Sequence, residues 1–149
     1  MLQSFADTVW LVPFYSLAGM ALSLIWLPAI TRKTGPRPAG YVNILLTFFS
    51  FVHALLATVA IANQPPQSVH WTWLDVAGLH FDLPVEISIL TTTALMLITG
   101  LNLMAQVFAV GYMEMDWGWA RFFALLALFE GGMAALVLLD SLFFNYVVL

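Results

Sequence analysis

Glu130 stands in the run LALFEGGMAALV, near the middle of an apolar stretch. A charge at the bilayer centre costs between about 2.5 and more than 10 kcal/mol, so ionisable residues there are rare and usually functional. Glu130 therefore has two readings. It is a proton-relay or gating carboxylate, or a protonated or hydrogen-bonded structural glutamate packed on another helix through Gly131-Gly132. His53, inside FFSFVHALLATV, is a second proton-relay candidate. A lone histidine on an apolar helix is more often a hydrogen-bonded packing residue. His70 and His80, with Asp75 and Asp82 nearby, carry metal-ligating groups, but their spacing is not that of two ligands one helical turn apart. They are expected to be exposed, with no metal bound. Arg121 follows Asp116 and Glu114, a pattern for an interfacial ion pair that anchors a loop. Arg32, Lys33 and Arg37 either set topology or form a docking surface for a soluble partner. Arg37 and Tyr41, separated by Pro38, are the residues placed for such a contact. No P-loop, dinucleotide fingerprint, haem ligand pair or nucleophile triad is present. The chain is expected to bind no NADH, flavin, quinone or other cofactor itself.

The elements that position these residues follow from composition. Of 149 residues, 62% are hydrophobic and 8% charged, too few charges to cover a water-facing surface. Lipid must cover most of it. There is no cysteine, which removes disulfides and thiolate chemistry, and the net charge of −4 offers no basic patch for nucleic acid. The first residues, MLQSFAD, lack the positive region of a cleavable signal, so the first apolar stretch is expected to be retained. Four segments are long enough to span a hydrocarbon core, which takes about 20 apolar residues. They are Thr8–Ile30, Tyr41–Ile61, Ile87–Val110 and Arg121–Leu139. A further run, Ser141–Leu149, is too short to cross and reads as the start of a fifth helix in a longer protein. The fold class expected is an all-α integral membrane protein. Arg32, Lys33 and Arg37 share one short loop, which the positive-inside rule puts on the cytoplasmic side, with the N-terminus and the Asn63–Pro84 loop opposite. In that second loop QPPQ is a turn signal, and VHWTWLDV and LHFDL flank Ala77-Gly78. This pattern predicts a short β-hairpin lying on the helix ends.

HWTWLDVAGLHFDLPVEIS, VGYMEMDWGWARFFALLALF and MAALVLLDSLFFNYVVL resemble the antiporter-like L or F subunit of respiratory complex I and of the photosynthetic NADH-dehydrogenase-like complex. Subunits of Mrp-type sodium/proton antiporters are related. Trp71, Trp73, Tyr112, Met113, Asp116, Gly118, Arg121, Phe122, Phe123, Ala124, Leu128, Phe129 and Asp140 occupy positions of the family pattern, over about the second half of the chain. Departures from it fall at four places. Glu86 replaces the family's aspartate, Gln106 its histidine, Ala127-Leu128 its Asn-Leu, and Glu130 an aliphatic residue. The variation is most like that of the F-type subunit in cyanobacterial complexes devoted to carbon dioxide uptake. The resemblance implies a membrane-arm, proton-translocating subunit of a quinone or plastoquinone oxidoreductase complex, with no redox centre in this chain. Its partners would be other membrane subunits and a soluble carbon-dioxide-hydration subunit on the cytoplasmic side, and its location the thylakoid membrane. The family's central glutamate and lysines lie beyond Leu149. The alternatives are a sodium/proton antiporter subunit and a small tetraspan scaffold without transport.

Overall fold

The computed structural model describes residues 1–25, 37–113, 118–139 and 146. In chain order they form α1 (Leu2–Asp7), a 3-10 turn (Val9–Leu11), α2 (Val12–Ile25), α3 (Arg37–Ile61), β1 (Gln67–Val76), β2 (Leu79–Ile87), α4 (Ile89–Tyr112) and α5 (Trp119–Leu138). Helices α2 to α5 run alternately up and down. Neighbours in sequence pack side by side, and α2 closes on α5.

Three helices are long and apolar enough to cross a membrane: Ala39–Ile61, Ile89–Tyr112 and Trp119–Leu138. At 1.5 Å per residue, the 20 residues of the last reach about 30 Å, the thickness of the hydrocarbon core. The first expected span differs. A short helix, α1, precedes it and ends at Thr8, and the described part of the span is the shorter apolar helix Val9–Ile25; residues 26–30 lie outside the described residues. Pro13 has no N–H to donate, and it sits in the first turn of α2, where none is needed. The second helix starts at Arg37 instead of Tyr41, with Pro38 in its first turn. The third starts at Ile89 instead of Ile87, because Ile87 ends β2 and Ser88 caps the helix, its Oγ accepting the Thr91 N–H at 3.2 Å. The fourth covers Trp119–Leu138, with Leu139 already extended and bridged to Val85. Of the run expected to open a fifth helix, only Tyr146 is among the described residues.

The interior of this bundle is more polar than its surface. Ser16, Ser23, Asn43, Thr47, Ser50, His53, Thr92, Thr99, Asn102, Gln106 and Glu130 are buried, while Leu90, Leu101, Met104 and Phe108 of α4 are more than two-thirds exposed. A water-soluble bundle would reverse that arrangement. Helices that lie in lipid gain no hydrophobic energy from meeting one another, and associate through small residues and hydrogen bonds instead. Here Ala54, Ala57, Ala124, Ala127 and Ala134 line the helix contacts. Gly40 admits the Trp119 indole, whose nearest atom would stand 2.6 Å from a Cβ at that position.

The hairpin between α3 and α4 forms as expected, with β1 and β2 antiparallel from Gln67↔Ile87 to Val76↔Leu79. Its turn is Ala77-Gly78, both at positive φ (55° and 85°), the two-residue geometry that matches strand twist. Its base rests on the bundle. Ile87 is buried and Val85 packs on the apolar cluster of Val9, Ala57, Ile61 and Leu138, whereas the tip residues Asp75 to Leu79 are exposed.

Candidate functional site

Glu130 is fully buried, midway along α5. Its Oε2 accepts a hydrogen bond from the Thr47 hydroxyl of α3 at 3.0 Å and another from the Asn102 side-chain amide of α4. The Thr47 oxygen in turn accepts from Gln106 Nε2 at 2.9 Å. The hydroxyls of Ser16 on α2 and Ser50 on α3 also lie against the carboxyl group, without meeting hydrogen-bond geometry. Four helices thus converge on one carboxyl, and all these neighbours are uncharged.

Each partner reaches the site through helix periodicity. Asn102 and Gln106 are four apart, hence on one face of α4; Asn43, Thr47, Ser50 and His53 follow at steps of four, three and three along α3. Among the described residues, four buried oxygens at or next to this cluster lack a hydrogen-bond partner: Ser16 Oγ, Ser50 Oγ, Gln106 Oε1 and Glu130 Oε1. Buried polar atoms are almost always paired, so a group of unpaired oxygens marks a strained or functional site. Oε2 already accepts two bonds, so Oε1 is the oxygen free to carry a proton. Gly131 brings α5 against α2, where a Cβ would stand 3.3 Å from Leu17; Gly132 faces no neighbour within 4 Å. Among the described residues, the expected Gly131-Gly132 contact is therefore made by Gly131.

His53 lies toward the N-terminal end of the bundle. Its Nε2 is 3.1 Å from the Phe5 carbonyl oxygen and 3.2 Å from Thr8 Oγ1, and its Nδ1 is 3.3 Å from the Tyr15 hydroxyl. A carbonyl only accepts, so in the neutral ring Nε2 carries the hydrogen and Nδ1 accepts from Tyr15. The Thr8 hydroxyl donates to the Ser4 carbonyl at 2.7 Å, which leaves its oxygen free to accept as well. The rings of Phe5 and Tyr15 meet the imidazole edge-on, with centroids 5.5 and 5.8 Å away.

The other expected residues are placed less completely. Tyr41 is exposed near the start of α3, its ring 6.5 Å from that of Trp119. Arg37 opens α3, and nothing of its side chain is among the described atoms. Arg121 is exposed in the first turn of α5, but Asp116 and Glu114, its expected ion-pair partners, lie outside the described residues, as do Arg32 and Lys33. In the hairpin His70 is exposed, and the register sets Asp75 opposite His80 and Thr72 opposite Asp82. Sequence reading did not single out Ser16, Thr47, Ser50 or Asn102 as partners of Glu130. The signal was the regular spacing of polar residues inside apolar helices.

A membrane bundle with a buried carboxyl network is the class of molecule these features define, and comparison with known families narrows it. Residues 73–123 match the family described as NADH-Ubiquinone oxidoreductase (complex I), chain 5 N-terminus. The chain is also similar to NAD(P)H-quinone oxidoreductase subunit 5, organellar chromatophore 2, of Paulinella chromatophora, with 39% identity over 142 residues, which are 94% of this chain and 23% of that protein. The chloroplastic subunit 5 of Chlorokybus atmophyticus is 30% identical over 93% of this chain and 22% of its own length. That of Mesostigma viride is 29% identical over 98% and 23%. Its homologues are thus subunits 5 of NAD(P)H-quinone oxidoreductases, and the chain spans less than a quarter of their length.

Proposed function

We propose that this chain is part of a membrane-arm, proton-translocating subunit of a complex I-type NAD(P)H-quinone oxidoreductase, and that Glu130 is a proton-exchanging group within it. One observation carries the reading: a buried carboxyl shared by four helices, with one oxygen bonded twice and the other unpaired. A purely structural glutamate would be expected to satisfy both oxygens, since an unpaired buried polar atom costs about 1–3 kcal/mol. His53 is the second proton-exchanging group. The Val9–Ile25 helix serves as a fourth span.

A finer reading is that the complex is the photosynthetic form that couples electron transfer to carbon dioxide uptake in a thylakoid membrane. Support comes from the chloroplast and chromatophore relatives and from the departures at Glu86, Gln106 and Glu130. In that complex the partners are other membrane subunits and, on the basic-loop side, a soluble hydration subunit near Arg37 and Tyr41. Asp116 and Arg121 brace the adjoining loop.

Glu130→Gln tests the main reading in the full-length protein. It preserves shape and hydrogen bonding but cannot exchange a proton. Proton uptake into sealed vesicles is expected to fall by about tenfold or more while the complex still assembles. Unchanged proton uptake in a normally assembled complex would refute the role of Glu130.

A further inference from the structure

A serine or threonine hydroxyl inside a helix has a ready partner one turn back, the carbonyl four residues earlier. Ser23, Thr58, Thr92 and Thr99 take it, donating to the carbonyls of Gly19, Ala54, Ser88 and Leu95 at 2.7 to 3.0 Å. Thr47 instead donates across from α3 to Glu130 Oε2 on α5, at 3.0 Å. A hydroxyl has one hydrogen, so with that hydrogen on Glu130 the Thr47 oxygen can only accept from any further neighbour. Gln106 Nε2 is that donor, reaching from α4 at 2.9 Å. An amide turned the other way would offer its oxygen, compete for the Thr47 hydrogen and draw it off the carboxyl. Gln106 and Thr47 are 0% and 1% exposed, so bulk solvent competes for neither. Asn102, one helical turn before Gln106, donates to the same Oε2 directly. Helix α4 thus acts on one carboxyl oxygen twice, once at first hand and once through Thr47.

We propose that Gln106 is a positioning residue for Glu130: its amide holds the Thr47 hydroxyl on Oε2 and thereby sets the pH at which the carboxyl takes up and releases its proton. The assignment rests on the proton-exchange reading of Glu130. Two effects carry it. Donation from Gln106 polarises the Thr47 hydroxyl and makes it a better donor in turn. It also occupies the Thr47 oxygen, which fixes the direction of the one hydrogen. Without Gln106 that hydroxyl is free to turn back to the Asn43 carbonyl, as its counterparts turn to theirs, and Oε2 keeps Asn102 alone. A carboxyl that loses a donor holds its negative form less well. The groups that face Glu130 from the packed helices are Ser16 of α2, Thr47 and Ser50 of α3 and Asn102 of α4, all uncharged. Among the described contacts no other titratable side chain meets it, so a change in its titration reports hydrogen bonding and not a neighbouring charge.

N,N′-dicyclohexylcarbodiimide reacts with protonated carboxyls inside membranes, so its labelling of Glu130 against pH, read by mass spectrometry, gives the titration. The full-length protein is used in its assembled complex. Gln106→Met keeps the length of the side chain without a donor, Thr47→Val keeps shape without the hydroxyl, and Thr47→Ser keeps the hydroxyl. Gln106→Met should carry labelling to higher pH by about threefold or more in proton concentration, and Thr47→Val by about tenfold. Because Gln106 acts through Thr47, adding Gln106→Met to Thr47→Val should move the profile no further. Thr47→Ser should keep the wild-type profile. A merely structural glutamine would alter assembly and leave the profile in place. An unmoved profile or a move to lower pH in Gln106→Met overturns the proposal, as do shifts that add in the double variant or a Thr47→Ser profile like that of Thr47→Val. Gln106→Leu gives the same reading if Gln106→Met does not assemble, and failure of both makes Gln106 a structural strut and overturns the proposal as well. A wild-type Glu130 unreactive at every pH overturns the positioning role and the proton-exchange reading together. Full proton uptake in Glu130→Gln removes the relay reading by itself, whereas additive shifts remove only the role of Gln106.

Discussion

At Glu130 the decisive quantity is the number of hydrogen bonds to each oxygen. Oε2 has two partners and Oε1 none, so variants that alter shape and variants that alter proton exchange separate cleanly. Glu130→Leu fills the space but strands the Thr47 hydroxyl and the Asn102 amide in an apolar interior. Interhelical hydrogen bonds in membrane bundles average about 0.6 kcal/mol and reach about 1.7. Loss of two should destabilise the bundle by about 1–3 kcal/mol, seen as a lower midpoint of thermal unfolding in detergent. Asn102→Ala should cost about half as much and leave Thr47 bonded. If Glu130→Leu unfolds at the wild-type temperature, the network contributes nothing to the fold.

Among the elements, the start of α5 is held to the start of α3 by one tight fit. Trp119 is 3% exposed and lies where a Cβ on Gly40 would be, 2.6 to 2.8 Å from three indole atoms. Both partners are rigid there, an indole ring and a helix backbone. Gly40→Ala should push α5 away from α3 and cost about 1–3 kcal/mol, the range for overpacking a filled site. Trp119 fluorescence should shift and unfolding should occur earlier; unchanged emission and stability would show that the ring moves aside freely. The hairpin turn behaves in the opposite way. Ala77 adopts φ of 55°, which costs an L-residue about 1–2 kcal/mol, so Ala77→Gly relieves strain in the folded turn. Slower amide exchange in β1 and β2 is the expected result, and exchange at the wild-type rate would place the turn strain elsewhere.

For the whole molecule, alternation of α2 to α5 puts the hairpin and the N-terminus on one face, and the end of α4 and the start of α5 on the other. Leu79 is exposed at the hairpin tip and Tyr112 at the far end of α4, 24 helical residues that reach about 36 Å. Cysteines replacing them should react with a membrane-impermeant maleimide from opposite sides. Reaction of both from one side would mean that α4 does not cross.

What the sequence determined by itself was composition and period. So low a charge content leaves only lipid as surroundings, and runs of about 20 apolar residues in lipid must be helices, since no water is there to satisfy the backbone. The hairpin was legible because strand-like VHWTWLDV and LHFDL flank Ala77-Gly78, and Glu130 stood out because its cost is local. The tertiary structure decided the rest. The short helix α1 before Thr8 was hidden, because six residues carry too little apolar period to read. The partners of Glu130 are 28 residues away at Asn102 and 83 at Thr47, and no periodicity in one helix states which face of another it meets. Serine, threonine and asparagine are common in transmembrane helices. Only packing, through small residues such as Gly131 and Gly40, brings these particular ones to one carboxyl.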